Sequence, residues 1–330
     1  MIRTAAVLLC AAALGCGGGS GGADASDHGF GWDATTSLPV CADTIVPSIN
    51  NAQAPGAGSM GYVPPSAQQL ASLRESLAEM PSGTGVVALR AAADAGYELC
   101  HQLPLIMWRP LDQSTGRATI VWRDDHDAKP LIVGAPHAEF ETNTLAEAKL
   151  MFEQLNARVL IVSGTHRCAN ATTTTCSGTS SVCGASGPYR QSDMAHVVES
   201  TYQGAHEWFA QQFGSDLVIS LHGMSAAGAS ISNGTTNPVA DDSPVARFAT
   251  ELSAQFPAEN ITTCNAYTGA SVDERLCGTT NAQGRFVNNS ANACTTSAVG
   301  ANDRFIHLEQ SLDLRAERQK VVVALENVLQ

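Results

Sequence analysis

Lysine is nearly absent from this chain: only Lys129, Lys149 and Lys320 occur among 18 basic residues, set against 31 aspartates and glutamates for a formal net charge of −13. So acidic a surface repels polyphosphates, which excludes nucleic-acid binding and polybasic attachment to anionic lipid. No internal apolar run reaches the ~18–20 residues that span a bilayer. GxGxxG occurs only at 17–22 and 56–61 and GxSxG only within the first of these, in segments that follow no apolar strand, and no P-loop occurs, which argues against dinucleotide and nucleotide chemistry and against the nucleophile elbow of a serine hydrolase. CxxC pairs and internal repeats are missing too. What is present, 44% hydrophobic residues over 330 positions, is ample core for one large α/β domain.

Residues 1–16, MIRTAAVLLCAAALGC, place one arginine before a short run of Ala, Val and Leu that closes on small residues, as a secretory signal does. Ala13-Leu14-Gly15-Cys16 resembles a bacterial lipobox, whose cysteine is diacylated. The expectation is an exported chain, lipid-anchored through Cys16 to a bacterial membrane, in the periplasm or on the cell surface; a plain signal peptide is the alternative. Residues 17–63 start with a glycine-rich run and read as a flexible tether and irregular segment, and 64–330 as the hydrolase-like domain. Outside the export segment lie Cys41, Cys100, Cys168, Cys176, Cys183, Cys264, Cys277 and Cys294. In an exported chain they default to disulfides, with one bridge expected among 168, 176 and 183 and one among 264, 277 and 294.

The pattern along the chain predicts helices after the Ser66 N-cap, over 84–101, 144–156, 193–213, 243–256 and 312–329. Between them stand apolar strands at 118–122, 130–134, 158–163, 216–221, 261–263 and 304–308. Continuously apolar strands separated by helices imply a single-domain α/β fold, a mixed, mostly parallel sheet covered on both faces. The cysteine-bearing stretches become its long bridged loops.

In open sheets of this kind ligands bind beyond the carboxyl ends of the strands. Strand 130–134 runs into His137, with Glu139 and Glu141 behind it; strand 216–221 runs into His222; strand 304–308 runs into Glu309. Two histidines and a carboxylate make an open catalytic zinc set, and a further carboxylate supplies the general base a metallohydrolase needs.

Four segments carry a resemblance: Ala135 to Thr144 (APHAEFETNT), Ser163 to Arg167 (SGTHR), Ile219 to Gly223 (ISLHG) and Leu308 to Arg315 (LEQSLDLR). In order and content they resemble blocks of the poly-γ-glutamate hydrolase family, a branch of the zinc carboxypeptidase-like fold. The resemblance implies Zn2+ held by His137, Glu141 and His222, with Glu309 as the catalytic base for attack of water on an amide, of γ-glutamyl or acyl-glutamate type. It implies a small-molecule or peptide substrate with a carboxylate. The family spacing from histidine to glutamate is one residue longer than here, which keeps Glu139 as a rival ligand.

Arg167 and Arg285 are the expected cations for an oxyanion or a substrate carboxylate. Asp193, His196 and His206 are read as capping and surface residues of the 193–213 helix, with contacts to a metal ligand or to substrate as the alternative. The alternative function is a surface lipoprotein that binds a ligand or partner on a degenerate hydrolase scaffold.

Overall fold

Alternation within the strands divides the apolar residues between two cores. In the central strand Leu131 and Val133 pack into one and Ile132 into the other, so the sheet is covered on both faces. The computed structural model describes residues 38–50, 52–81 and 85–330; the expected signal, Cys16 and the tether as far as residue 37 lie outside them.

In chain order the elements are α1 (Ile45–Ser48), α2 (Ala67–Glu79), α3 (Gly85–Asp94), β1 (Tyr97–Gln102), β2 (Leu105–Pro110), β3 (Thr119–Arg123), β4 (Lys129–Ala135), α4 (Thr144–Gln154) and β5 (Ala157–Val162). Then follow β6 (Thr179–Ser180), β7 (Gly187–Pro188), α5 (Thr201–Gln212), β8 (Leu217–Gly223), β9 (Ala229–Ser232), α6 (Pro244–Gln255) and β10 (Ile261–Thr263). The chain closes with α7 (Ala282–Val287), β11 (Phe305–Gln310), α8 (Leu312–Ala316) and α9 (Arg318–Val328). Nine strands form one mixed sheet in the order β1-β2-β3-β5-β4-β8-β11-β9-β10. Its centre, β5-β4-β8-β11, is parallel, while β1, β2 and β3 join antiparallel on one side and β9 pairs antiparallel with β11 on the other.

Helices α4, α6 and α9 cover one face through Phe152, Phe248 and Leu325. Helices α2, α3 and α5 cover the other through Leu73, Ala88 and Phe209. The α/β expectation holds. Ser66 caps α2 in a full capping box with Gln69, as the sequence predicts.

Two helices differ from expectation. The stretch 84–101 is helical only to Asp94: Gly96, at φ +81°, turns the chain, and Tyr97–Gln102 pairs instead with β2 in a hairpin. The 193–213 helix starts only at Thr201, capped by Ser200, because Asp193 is occupied elsewhere, as described below.

Four disulfides close the loops, Cys41–Cys100, Cys168–Cys183, Cys176–Cys294 and Cys264–Cys277, and they belong to an oxidising environment. The two expected local bridges are present, and Cys176–Cys294 ties the two loop systems to each other. Residues 38–63 are mostly loop, yet α1 is buried through Ile45 and Val46 and Cys41 is fixed to β1. Among the described residues no helix is long and apolar enough to cross a membrane.

Candidate metal centre

The parallel centre of the sheet brings the sequence-predicted residues to one edge. β4 ends at Ala135, and a turn follows in which both Phe140 and Glu141 donate their backbone N–H to the His137 carbonyl. That turn folds the Glu141 side chain back onto the His137 ring. In the parallel register Glu309 of β11 lies beside His222 of β8, so both fall within strands rather than just after them.

His137, Glu141 and His222 are all buried. His137 Nδ1 lies 2.8 Å from Glu141 Oε1 and 3.3 Å from His222 Nδ1, and His222 Nδ1 lies 3.7 Å from Glu141 Oε2. On the far side of the ring, His137 Nε2 is 2.7 Å from Asp193 Oδ1. A carboxylate there accepts the Nε2–H, which leaves Nδ1 as a lone pair aimed at two other electron-rich atoms. A single proton would satisfy one of these contacts and still leave Glu141 Oε2, buried and without a hydrogen-bond partner, unsatisfied.

A divalent cation satisfies all three. Donors at ~2.0–2.1 Å from a tetrahedral ion stand ~3.3–3.4 Å apart, close to the spacings here, and a His2Glu set suits zinc. The three donor atoms lie within 4.8 Å of one another. It is Glu141, not the rival Glu139, that joins the histidines in this group.

The surrounding charges are arranged to support it. Burial opposes ionisation of Asp193, but Arg167, His196 and His137 outweigh burial and hold its carboxyl well below the ordinary range. Burial likewise opposes ionisation of Glu141 and is overcome by the two histidines. Burial pushes His222 and His307 down, which favours their neutral, metal-binding form, whereas at His137 burial and Arg167 are outweighed by Glu141 and Asp193 and the ring is pushed up. Glu309 behaves oppositely to its neighbours: burial, reinforced by the negative charge of Glu141, pushes it up to about 8.

A cavity of about 500 Å³ opens over the group, lined among others by His137, His222, His307, Glu309 and Arg167. A larger depression of about 800 Å³, around Asp43, Glu98 and Arg109, contains none of these residues.

Three sequence expectations change. Arg167 lines the cavity, but its Nε and Nη2 both bond to Asp193 Oδ2, at 3.2 and 2.6 Å, so its first task is to hold the carboxylate behind His137. Arg285 is buried away from the cavity lining, and its guanidinium donates to the Thr279 and Cys294 carbonyls and to Ser177 Oγ, clamping the cross-linked loops. Asp193 and His196 cap no helix. Asp193 orients His137, and His196 stacks on Tyr189 with ring centroids 3.7 Å apart and bonds to the Thr280 carbonyl. His206, on α5, is buried rather than at the surface.

One residue escaped the sequence reading altogether. His307 is buried with Nδ1 unpartnered and forms a second donor group with His222 and Glu309. Its position two residues before Glu309 on an alternating strand was the available signal. Gly278 packs on it: at φ +64°, a Cβ there would lie 2.7 Å from the His307 ring.

No protein-family model and no curated protein matches the chain. Among solved structures it is similar to the "Putative carboxypeptidase A" of Shewanella denitrificans OS-217, with 14% identity and a TM-score of 0.34 over 74% of this chain. The match spans 66% of that protein's length, just under two thirds. The resemblance to poly-γ-glutamate hydrolases accordingly stays one of short motif blocks.

Proposed function

We propose that the chain is an exported zinc-dependent amidohydrolase or peptidase, in which His137, Glu141 and His222 hold the metal and Glu309 is the general base. One observation carries this reading: three buried donors, His137 and Glu141 from one turn and His222 from β8, converge on one another, and the Glu309 carboxyl stands beside them. When bound, a zinc ion supplies Lewis acidity that polarises a carbonyl and acidifies water.

The rest of the chemistry belongs to the chain. Asp193, braced by Arg167, keeps His137 in the Nε2–H form and fixes its ring. Glu309 is placed to take the proton of an attacking water and to pass it to the departing amine. The four disulfides support export, and lipidation of Cys16 after removal of 1–15 rests on the lipobox resemblance alone.

Elemental analysis of untagged protein tests the metal. About one zinc per chain is expected, as for a mononuclear site. Glu309→Gln is expected to keep that zinc while lowering amide turnover by ~10²–10⁴-fold. A folded chain that refuses added zinc would sink the proposal.

A further inference from the structure

Every lysine and every arginine except Arg3 falls among the described residues, so the cations available to the cavity can be followed one by one. Among those residues, Arg167 is the basic side chain that lines it, and two of its nitrogens are committed to Asp193. Arg285 is spent on loop carbonyls. Arg315, packed against Gly223 beside the metal group, donates to the backbone carbonyls of Thr142 and Ser311.

The remaining wall is neutral or acidic. Thr179, Ser180, Thr236, Thr279 and Thr280 supply hydroxyl-bearing side chains, and Glu274 stands exposed among them. His196 faces Thr280 O with Nδ1 at 3.0 Å; since a carbonyl only accepts, that nitrogen carries the proton, and the neutral ring needs no further partner to be stable in its stack on Tyr189.

Resting on the hydrolase reading above, we infer that the substrate segment beside the scissile bond is uncharged: an amide within a longer chain, or an amide-capped end, rather than a free carboxylate. A carboxylate entering this cavity would lose its water without gaining an uncommitted side-chain cation, and would meet Glu274. A peptide amide both donates and accepts, and the hydroxyl groups of the wall answer it in both senses. The inference reverses the carboxylate-bearing substrate implied by the motif resemblance.

The test uses the zinc-loaded full chain and an N-acetylated tetrapeptide library made in two forms, free acid and C-terminal carboxamide, with cleavage followed by mass spectrometry. The carboxamide form should be cleaved with kcat/KM about tenfold or more higher, the scale on which an unpaired buried group is rejected. His196→Arg, which puts a cation on the wall, should narrow or invert that ratio. Thr236→Lys does the same from an exposed position should the first variant fail to fold. Preference for the free acid overturns the inference and leaves the hydrolase standing. Cleavage of neither form by a zinc-loaded chain also overturns it, whereas failure to load zinc strikes the hydrolase reading itself.

Discussion

The floor of the cavity and its wall are both built from polar residues, but they are held by different forces. The floor is His137, Glu141, Asp193, Arg167, His222 and Glu309, delivered by strand ends of the parallel sheet and locked by buried ion pairs as short as 2.6 Å. The wall is two Thr- and Ser-rich loops that bury little apolar surface of their own. It is held by Cys168–Cys183, Cys264–Cys277, the Cys176–Cys294 bridge across them, and the hydrogen bonds of Arg285. A floor made of charge depends on every partner being present, because a buried charge left alone is costly. A wall made of cross-links tolerates the loss of any one polar contact and depends on the redox state instead.

The comparison breaks most visibly at Asp193. Replacing it with alanine leaves the Arg167 guanidinium buried without its carboxylate and frees His137 to rotate. Unfolding by denaturant should show a loss of ~3–5 kcal/mol, and zinc affinity should fall by ~10–100-fold. Asp193→Asn, which can still accept from Nε2 but cannot balance Arg167, should fall between the variant and the parent. If Asp193→Ala were as stable as the parent and bound zinc equally well, the floor would not be the coupled network described here.

The wall should respond more mildly and in a different quantity. The double replacement Cys176→Ser, Cys294→Ser removes the disulfide that joins the loops, at a cost of ~2–4 kcal/mol in the unfolding transition. Zinc content should stay at the parental level, because no metal-group residue lies on either loop, while KM rises as Tyr189 and Thr280 lose their relative placement. Loss of zinc in this variant would show that floor and wall are not separable.

How far each region was legible in the sequence follows from the same difference. His137, His222 and Glu309 could be read because each sits at or next to the end of an apolar strand, where hydrophobic pattern fixes position. Glu141 could be placed only together with the turn that folds it back on His137. Asp193 reads first as a helix cap because helical spacing runs through it, and the alternative of a contact to a metal ligand is what the structure holds: its carboxylate is spent on His137 and Arg167, and the helix begins at the Ser200 cap instead. The β1–β2 hairpin was hidden by the alanine-rich run before it, with Gly96 as the overlooked punctuation. For the wall, the cysteine count showed that cross-links exist, but pairing across 118 residues is a property of the folded loops. Arg285 looked like a free cation in a polar loop because its carbonyl partners, Thr279 and Cys294, lie in the same irregular stretch, where no period marks the contact.

A carboxyl beneath the floor sharpens the contrast by lacking what Asp193 has. Glu147 on α4 is fully buried, accepts a 2.6 Å hydrogen bond from Gln310 Nε2 next to Glu309, and has no guanidinium bonded to it. Burial, only partly offset by that amide and by Arg315 and Arg318, pushes its carboxyl up to about 8 from an ordinary 4.5. A group whose folded value is raised contributes its stability fully below the unfolded value and loses it as pH rises through the folded one. The parent should therefore lose stability between pH 4.5 and about 8 on account of Glu147. Glu147→Gln keeps an acceptor for Gln310 without a charge to bury, so its denaturant midpoint should match the parent near pH 4.5 and exceed it above pH 8. The gap is expected to be on the order of 1–2 kcal/mol once relaxation around the carboxylate is allowed for. Parallel pH profiles for the two proteins would mean that Glu147 is ionised in the fold, and that a buried carboxylate here can do without the cation on which Asp193 relies.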